Sequence, residues 1–308
     1  MTHPINLHQR AELLRAGHSD RDLRTQVMNG ELRRYWRGIY GAPEADRYEL
    51  AHRTVLAAAR TATSEKVVSH QSAAVLHNLP LLDLDLGRVH FTADRRAGGT
   101  HRTCVIHAAP LRKRDVVQLG GVRVTSVART AVDVARASRT FPSALAVFDA
   151  ALRSGVTSDE LQRVIAQSAG RKGVAMARHA FQEADGLAES PGESWSRFLM
   201  SQWSEIPPPT LQCPIRLETG EMAYADFGWY IDGRLAVIGE FDGMVKYRLL
   251  VSVGDTPSDV VIREKHREDL IRALGIIVVR WTWADLQDPH LWRARLRRAL
   301  AEFDLLAA

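Results

Sequence analysis

Between Pro191 and Phe303 the sequence changes element type in an order that few architectures accept. A helical stretch from about Pro191 to Trp203 leads through Pro207-Pro208-Pro209 into three strand-like segments, Leu211 to Leu217, Met222 to Tyr230 and Leu235 to Phe241. A helix from about Val261 to Leu274, an apolar strand from Ile276 to Trp281 and a basic helix from about Pro289 to Phe303 complete the block. The order αβββαβα predicts a mixed α/β domain, because strands and helices of this alternation bury their apolar sides against one another.

Residues 1–188 divide at turn-forming breaks. Gly41-Ala42-Pro43-Glu44-Ala45-Asp46-Arg47 reads as a short linker, and Ser190-Pro191-Gly192-Glu193 opens the last block. Three domains follow, 1–42, 43–188 and 189–308, and the fold class is α/β in the broad sense, a mixed α+β chain. No apolar stretch approaches the roughly 20 residues that cross a bilayer, and Met1-Thr2-His3-Pro4 has neither a basic leader nor an apolar core, so a cytoplasmic protein without a membrane partner is expected. Cys104 and Cys213 are far apart and outside any paired motif, which excludes a disulfide framework and a cysteine-rich zinc site. A formal charge of +5 suits a polyanionic partner without establishing one.

In the first block, Leu7 to Ala16 places Leu7, Ala11 and Leu14 on one helical face, with Gly17 at a left-handed stop. Ser19, with Asp22 three positions on, predicts a capped second helix from Asp20 to Met28. Leu32 to Tyr40, broken by Gly38, reads as a basic hairpin. Helix, turn, helix and hairpin together form a winged helix-turn-helix signature. Arg21, Arg24 and Thr25 on the second helix are candidates for phosphates or base edges, and Arg33, Arg34 and Arg37 on the wing for backbone phosphates. Tyr35 and Trp36 either pack under the wing or touch sugars. The bland alternative is a small basic cap with solvated arginines. Gly17, the Ser19-to-Asn29 helix, Gly30-Glu31-Leu32-Arg33-Arg34 and Arg37-Gly38-Ile39-Tyr40 resemble the N-terminal winged helix of the AbiEi family, antitoxins of type IV toxin-antitoxin systems that bind their own promoters. The usual preceding helix is missing here.

The middle block reads as α+β and structural. Val67 to Ala74 suggests a strand meeting a helix capped by Ser69, with no catalytic role for Ser69 or His70. His101, Cys104 and His107 have superficially metal-like spacing, but in an extended segment the two histidines face one way and the cysteine the other. Thr125-Ser126 caps a helix from Val127 to Ala137 carrying an Arg129/Asp133 ion pair. Gly170-Arg171-Lys172-Gly173 lacks the spacing of a P-loop and reads as a basic turn.

The last block carries the acids. Asp226 lies in its second strand, and Glu240 and Asp242 at the end of the third, where carboxylates are costly unless something binds them. Their cooperation depends on the turn at Ile231-Asp232-Gly233. A three-residue loop pairs Tyr230 with Arg234, sets Asp226 opposite Ile238 and puts Asp226, Glu240 and Asp242 on one face, whereas a two-residue turn flips Glu240 away. Converging carboxylates need a cation, and magnesium suits oxygen ligands beside a phosphate, activating water for phosphodiester hydrolysis.

Ala225-Asp226-Phe227, Leu235 to Gly243, Lys246-Tyr247, Glu264 to Asp269, Leu274-Gly275 and Val278-Val279-Arg280-Trp281 resemble the DUF559 group related to very-short-patch-repair endonucleases, which implies a PD-(D/E)XK restriction-endonuclease-like fold. By that resemblance Asp226 and Glu240 are metal-binding acids with Asp242 beside them, and the ion is Mg2+ or Mn2+. The family's lysine two residues after the glutamate is replaced by Asp242, so Lys246, or else Lys265, would bring the ammonium. Glu193 is an active-site candidate on the first helix, yet Ser190-Pro191-Gly192-Glu193 is equally a capped helix start. The combined expectation is a DNA-binding protein of the antitoxin or transcriptional-regulator type, with a C-terminal domain that hydrolyses DNA using Mg2+. The alternatives are a non-catalytic regulator whose nuclease-like domain is a binding scaffold, acting with a toxin encoded nearby, and a protein-interaction module.

Overall fold

The structure, a computed structural model, describes residues 6–44, 46–63, 65–82, 87–95, 97–243 and 257–307. It is mixed α+β, with helices and three sheets divided between two compact units, 1–182 and 183–308.

The N-terminal unit begins with a departure from the helical reading of Leu7 to Ala16. Leu7–Gln9 is strand β1, and helix α1 covers only Arg10–Arg15. The cause is long-range: β1 pairs antiparallel with β3 (Ile39–Gly41), Leu7 opposite Gly41, and Leu7 is buried by that pairing. Gly41 suits the approach, since a Cβ there would stand 2.9 Å from the Asn6 carbonyl oxygen. Gly17 takes the left-handed conformation (φ 99°) after α1. Helix α2, Asp20–Met28, starts at the expected capping box: the Asp22 N–H donates to Ser19 Oγ and the Ser19 N–H to Asp22 Oδ2. Strand β2, Arg33–Trp36, completes a three-stranded sheet of order β1-β3-β2.

The first 42 residues share a core with the block after them. Leu7, Tyr35 and Ile39 cluster with Val55 and Leu56 of α3 (Arg47–Arg60) and with Val68, Phe91 and Val124. Those last three come from a six-stranded sheet containing β4 (Val67–Val68), β5 (Val89–Ala93), β6 (Gly99–Thr100), β7 (Cys104–Ala108), β8 (Val116–Leu119) and β9 (Val122–Thr125). Its order is β6-β7-β5-β4-β9-β8, with β5 and β7 parallel. Helix α4, His70–Leu76, follows β4. Ser69 holds the N-cap position, but its hydroxyl makes no capping bond and meets His70 Nδ1 at 3.1 Å instead. Helix α5 spans Val127–Ala137 as read, with Ser126 accepting the Arg129 N–H. Helices α6 (Phe141–Arg153), α7 (Ser158–Gln167) and α8 (Val174–Gln182) complete the unit.

The C-terminal unit follows the element order read from the sequence, with one short addition. Helix α9 (Pro191–Ser201) precedes β10 (Thr210–Arg216), β11 (Met222–Ile231) and β12 (Arg234–Asp242). Then come α10 (Pro257–Ala273), β13 (Ile277–Thr282), the extra short helix α11 (Trp283–Gln287) and α12 (His290–Ala301). The sheet order is β10-β11-β12-β13, with β12 and β13 parallel and the other pairs antiparallel. The parallel pair brackets α10, as a crossover connection requires. Apolar clusters cover the sheet: Phe227, Val237, Phe241 and Trp281 pack with Met200 and Trp292, while Ile238 and Val278 pack with Ile271 of α10. Trp281 is fixed by stacking on Trp292 and by donating its indole N–H to Ser196 Oγ at 2.7 Å.

The β11–β12 turn corrects the expected register. Ile231 pairs Arg234, leaving a two-residue Asp232-Gly233 turn with both residues left-handed (φ 46° and 77°). A bulge between Trp229 and Tyr230 then absorbs one residue of β12, so Gly228 rather than Asp226 lies opposite Ile238. The ladder ends at Phe227 opposite Gly239, one step before Asp226 and Glu240.

Candidate functional site

The winged element presents one polar face. Leu23, 1% exposed, anchors α2, and Arg21, Arg24 and Thr25, three and four positions apart, lie exposed on a different side. Met28, also exposed, continues that face by another turn. Arg10 from α1 clamps Asp20 through its Nε at 2.7 Å and through its NH2, and this hydrogen bonding holds the Asp20 carboxyl below its ordinary range. The Ser19 N–H acts in the same sense on Asp22. The first turn of α2 is thereby fixed before any ligand arrives.

On the wing, Arg33, Arg34 and Arg37 are exposed. Arg33 lies 3.4 Å from Glu44, whose carboxyl burial pushes upward while Arg33 and Arg53 oppose that shift. Tyr35 is buried and donates its hydroxyl to the Ala42 carbonyl at 2.6 Å, so it packs under the wing rather than reaching outward. Trp36 is half-buried against the same core. All six basic or hydroxyl candidates therefore stand at the surface of a hairpin and helix whose inner sides are pinned.

The C-terminal acids are differently disposed. Glu240 sits between two guanidiniums: Arg267 of α10 bonds Oε1, and Arg280 of β13, its parallel register partner, bonds Oε2 at 2.7 Å. Arg280 also reaches Glu268 at 3.3 Å, and Glu268 pairs with Arg272 one helical turn on, extending the network along α10. Asp226 accepts the Phe241 N–H on Oδ2 at 2.8 Å, just where the β11–β12 ladder stops. That backbone donor would otherwise lack a ladder acceptor, so Asp226 has a structural occupation. Asp242 pairs in register with Thr282 at the end of β12.

In the structure Glu240 and Asp226 are already engaged. Both Glu240 oxygens hold guanidiniums and one Asp226 oxygen holds a backbone N–H, so a magnesium ion on Glu240 would compete with Arg267 and Arg280. Among the described residues, Asp226, Glu240 and Asp242 do not gather their oxygens into a metal-sized cluster. Glu193 is 1% exposed and serves the α9 cap, accepting from Ser190 Oγ (2.8 Å), from the Glu189 N–H (2.7 Å) and from Gln212 Nε2 (3.3 Å). The start of α9 packs so closely on Phe241 that a Cβ at Gly192 would fall 2.0 Å from its ring. Lys246 lies outside the described residues, and Lys265 is exposed on α10.

One grouping went unseen in the sequence. His70, His90 and His107 bring a ring nitrogen each within 4.8 Å of one another. His90 Nδ1 meets His107 Nε2 at 3.0 Å, and the His70 and His107 rings stack at 3.6 Å. His107 thus finds its partners on β5 and at the start of α4, away from His101 and Cys104. The signal was the alternation that sends His107 to one side of β7, but its partners depend on the parallel β5/β7 pairing.

No protein-family model matches the chain. An uncharacterised protein of Mycobacterium tuberculosis, MT2308 in strain CDC 1551 and Rv2248 in strain H37Rv, is 32% identical over 295 residues, covering 90% of this chain and 96% of its own length. The crystal structure of the RV2827C protein from Mycobacterium tuberculosis is 14% identical with a TM-score of 0.39, covering 63% of this chain and 75% of that one.

Proposed function

The chain belongs to the family of the Mycobacterium tuberculosis proteins MT2308 and Rv2248, and we propose that it is a DNA-binding regulator of the antitoxin type whose C-terminal unit is a nuclease-like scaffold that does not cut. The observation that carries this reading is the exposed set Arg21, Arg24 and Thr25 on α2 with Arg33, Arg34 and Arg37 on the wing. A helix held by its buried side and a hairpin beside it can enter a major groove and grip the flanking phosphates. The arginines on the wing position the protein, and those on α2 are within reach of base edges as well. A toxin encoded nearby is the protein partner this reading implies.

Salt dependence tests it. Each phosphate neutralised contributes about −0.9 to the slope of log K against log salt on duplex DNA. Arg24→Ala and Arg34→Ala should each make that slope shallower by about one, measured by fluorescence anisotropy on a duplex from the protein's own promoter region. A slope that neither variant changes would remove the winged element from the DNA surface.

The hydrolytic reading keeps one argument, the αβββαβ order of the C-terminal unit with acids on its second and third strands. Against it, the guanidiniums on Glu240 already supply the positive charge an ion would bring. Plasmid DNA incubated with the purified chain and Mg2+ or Mn2+ should stay intact. Cleavage that an Asp226→Ala/Glu240→Ala double variant abolishes would restore the endonuclease assignment.

A further inference from the structure

A cavity of about 440 Å³ lies in the N-terminal unit, walled by His70, His107, Arg129, Asp133, Arg136 and Arg171 together with apolar residues of β7. A volume in this range is that of small-molecule pockets, which run from about 300 to 1,000 Å³. Its charges do not balance: three guanidiniums face a single carboxylate.

That carboxylate is already shared. Asp133 Oδ2 accepts from Arg129 Nε at 2.7 Å, and Oδ1 from Arg136 NH1 at 3.2 Å. Arg129 is further engaged by the Pro110 carbonyl at 3.1 Å and by Asp115 at 3.5 Å. Arg136, whose NH1 holds Asp133 Oδ1, lines the cavity beside Arg171. Arg171 comes from the basic turn between α7 and α8, whose backbone bends where the Arg171 N–H donates to the Ser168 carbonyl. Burial pushes the Arg136 pKa down, and Arg171 and Arg129 act in the same direction while Asp133 opposes them. The guanidiniums of Arg136 and Arg171 lining a cavity that holds one carboxylate, itself shared by two arginines, describe a place for an anion.

The three histidines raise the competing prospect of a metal ion, and two observations turn against it. The rings of His70 and His107 are within 16° of parallel, so their in-plane lone pairs cannot meet at one ion. A divalent cation would also stand in a cavity already carrying the guanidinium surplus. Burial, the leading cause, pushes His70 well below its ordinary range and His107 below it, which disfavours adding imidazolium charge beside the guanidiniums.

We propose that this cavity binds a phosphate monoester, with the phosphate on Arg136 and Arg171, the rings of His70 and His107 beside it, and the organic part against the apolar wall of β7. The site is independent of the DNA-binding surface proposed above, so its failure and the failure of that reading separate in experiment. Full-length protein is titrated calorimetrically with inorganic phosphate, with adenosine 5′-monophosphate and, separately, with zinc chloride. One equivalent of phosphate or nucleotide should bind, with Arg136→Gln and Arg171→Gln each weakening the binding about tenfold or more, and Arg114→Gln, an exposed residue outside the cavity, leaving it unchanged. Tighter binding of the nucleotide than of phosphate supports the organic part on the apolar wall, and equal binding would overturn the monoester assignment. Because Arg171 lies on a turn, Arg171→Gln carries the test even if Arg136→Gln unfolds, with circular dichroism verifying its fold. No phosphate binding, or binding that Arg171→Gln leaves intact, overturns the proposal. Stoichiometric zinc binding lost in His90→Ala, without phosphate binding, would overturn it in favour of a metal centre.

Discussion

Arg24 and Arg34 of the winged element stand exposed, whereas Arg267 and Arg280 of the C-terminal unit close on the two oxygens of Glu240. The residue type is the same, and its use is opposite. An exposed guanidinium keeps its field and its donors for a polyanion, at small cost to the fold when it is removed. A half-buried one paired with a carboxylate has spent both, and its loss is felt by the partner left behind. A count of basic residues cannot tell these cases apart, and the geometry can.

The contrast is most exposed to test at Glu240. Glu240→Ala takes the shared carboxylate from two guanidiniums that are 31% and 32% exposed, Arg280 keeping Glu268 and Arg267 the Tyr224 carbonyl, so the fold should lose about 1 to 2 kcal/mol after discounting for solvent. The shift would appear in the urea midpoint with an unchanged slope. A carboxylate kept for metal and repelled by its neighbours would instead leave stability unchanged or raised on removal, and that result would break the comparison. Asp226 comes next. Asp226→Ala takes the acceptor from the Phe241 N–H and should cost about 1 to 2 kcal/mol, while Asp226→Asn keeps an acceptor and should cost less than half of that. Equal losses would mean that the charge of Asp226, not its hydrogen bond, is what the sheet uses.

Smaller effects are expected at the winged element. Arg24→Ala and Arg34→Ala should alter unfolding free energy by no more than about 0.5 kcal/mol, sharpening the contrast with Glu240 while still changing the salt slope on DNA. The smallest effect concerns acid. The folded Asp20 and Asp22 values lie below the ordinary 3.8, so their contribution is complete above that pH and is lost as pH falls through the lowered folded values. Carboxyl NMR titration should find both groups protonating below pH 3.8, with the first turn of α2 fraying there. A titration at or above 3.8 would mean that the Arg10 clamp and the Ser19 box are open in solution.

Much of the fold was readable because its causes are local. Ser126 and the 3.6-residue pattern delimit Val127–Ala137 in sequence and structure alike, and Arg129 and Asp133, four apart, meet as spacing requires. Ser19 with Asp22 fixed the start of α2 in the same way. The reading of Leu7 to Ala16 as one helix went wrong because its first residues join a strand more than thirty positions later, and pairing outweighs a weak apolar pattern. The register of β11 and β12 was missed because a bulge leaves no mark in turn composition.

For the candidate sites the division is similar. The sequence alone put acids at a strand end, arginines on a capped helix and a basic turn at Gly170 to Gly173, since residue type and short-range spacing are written in order along the chain. Only the tertiary structure decided that Glu240 would meet Arg267 and Arg280, that Asp226 would complete a ladder, and that Arg171 would face a cavity with His70 and Arg136. These pairings join residues 15 or more positions apart, and a charge has no fixed partner until packing brings one within a few ångströms and removes the water between them.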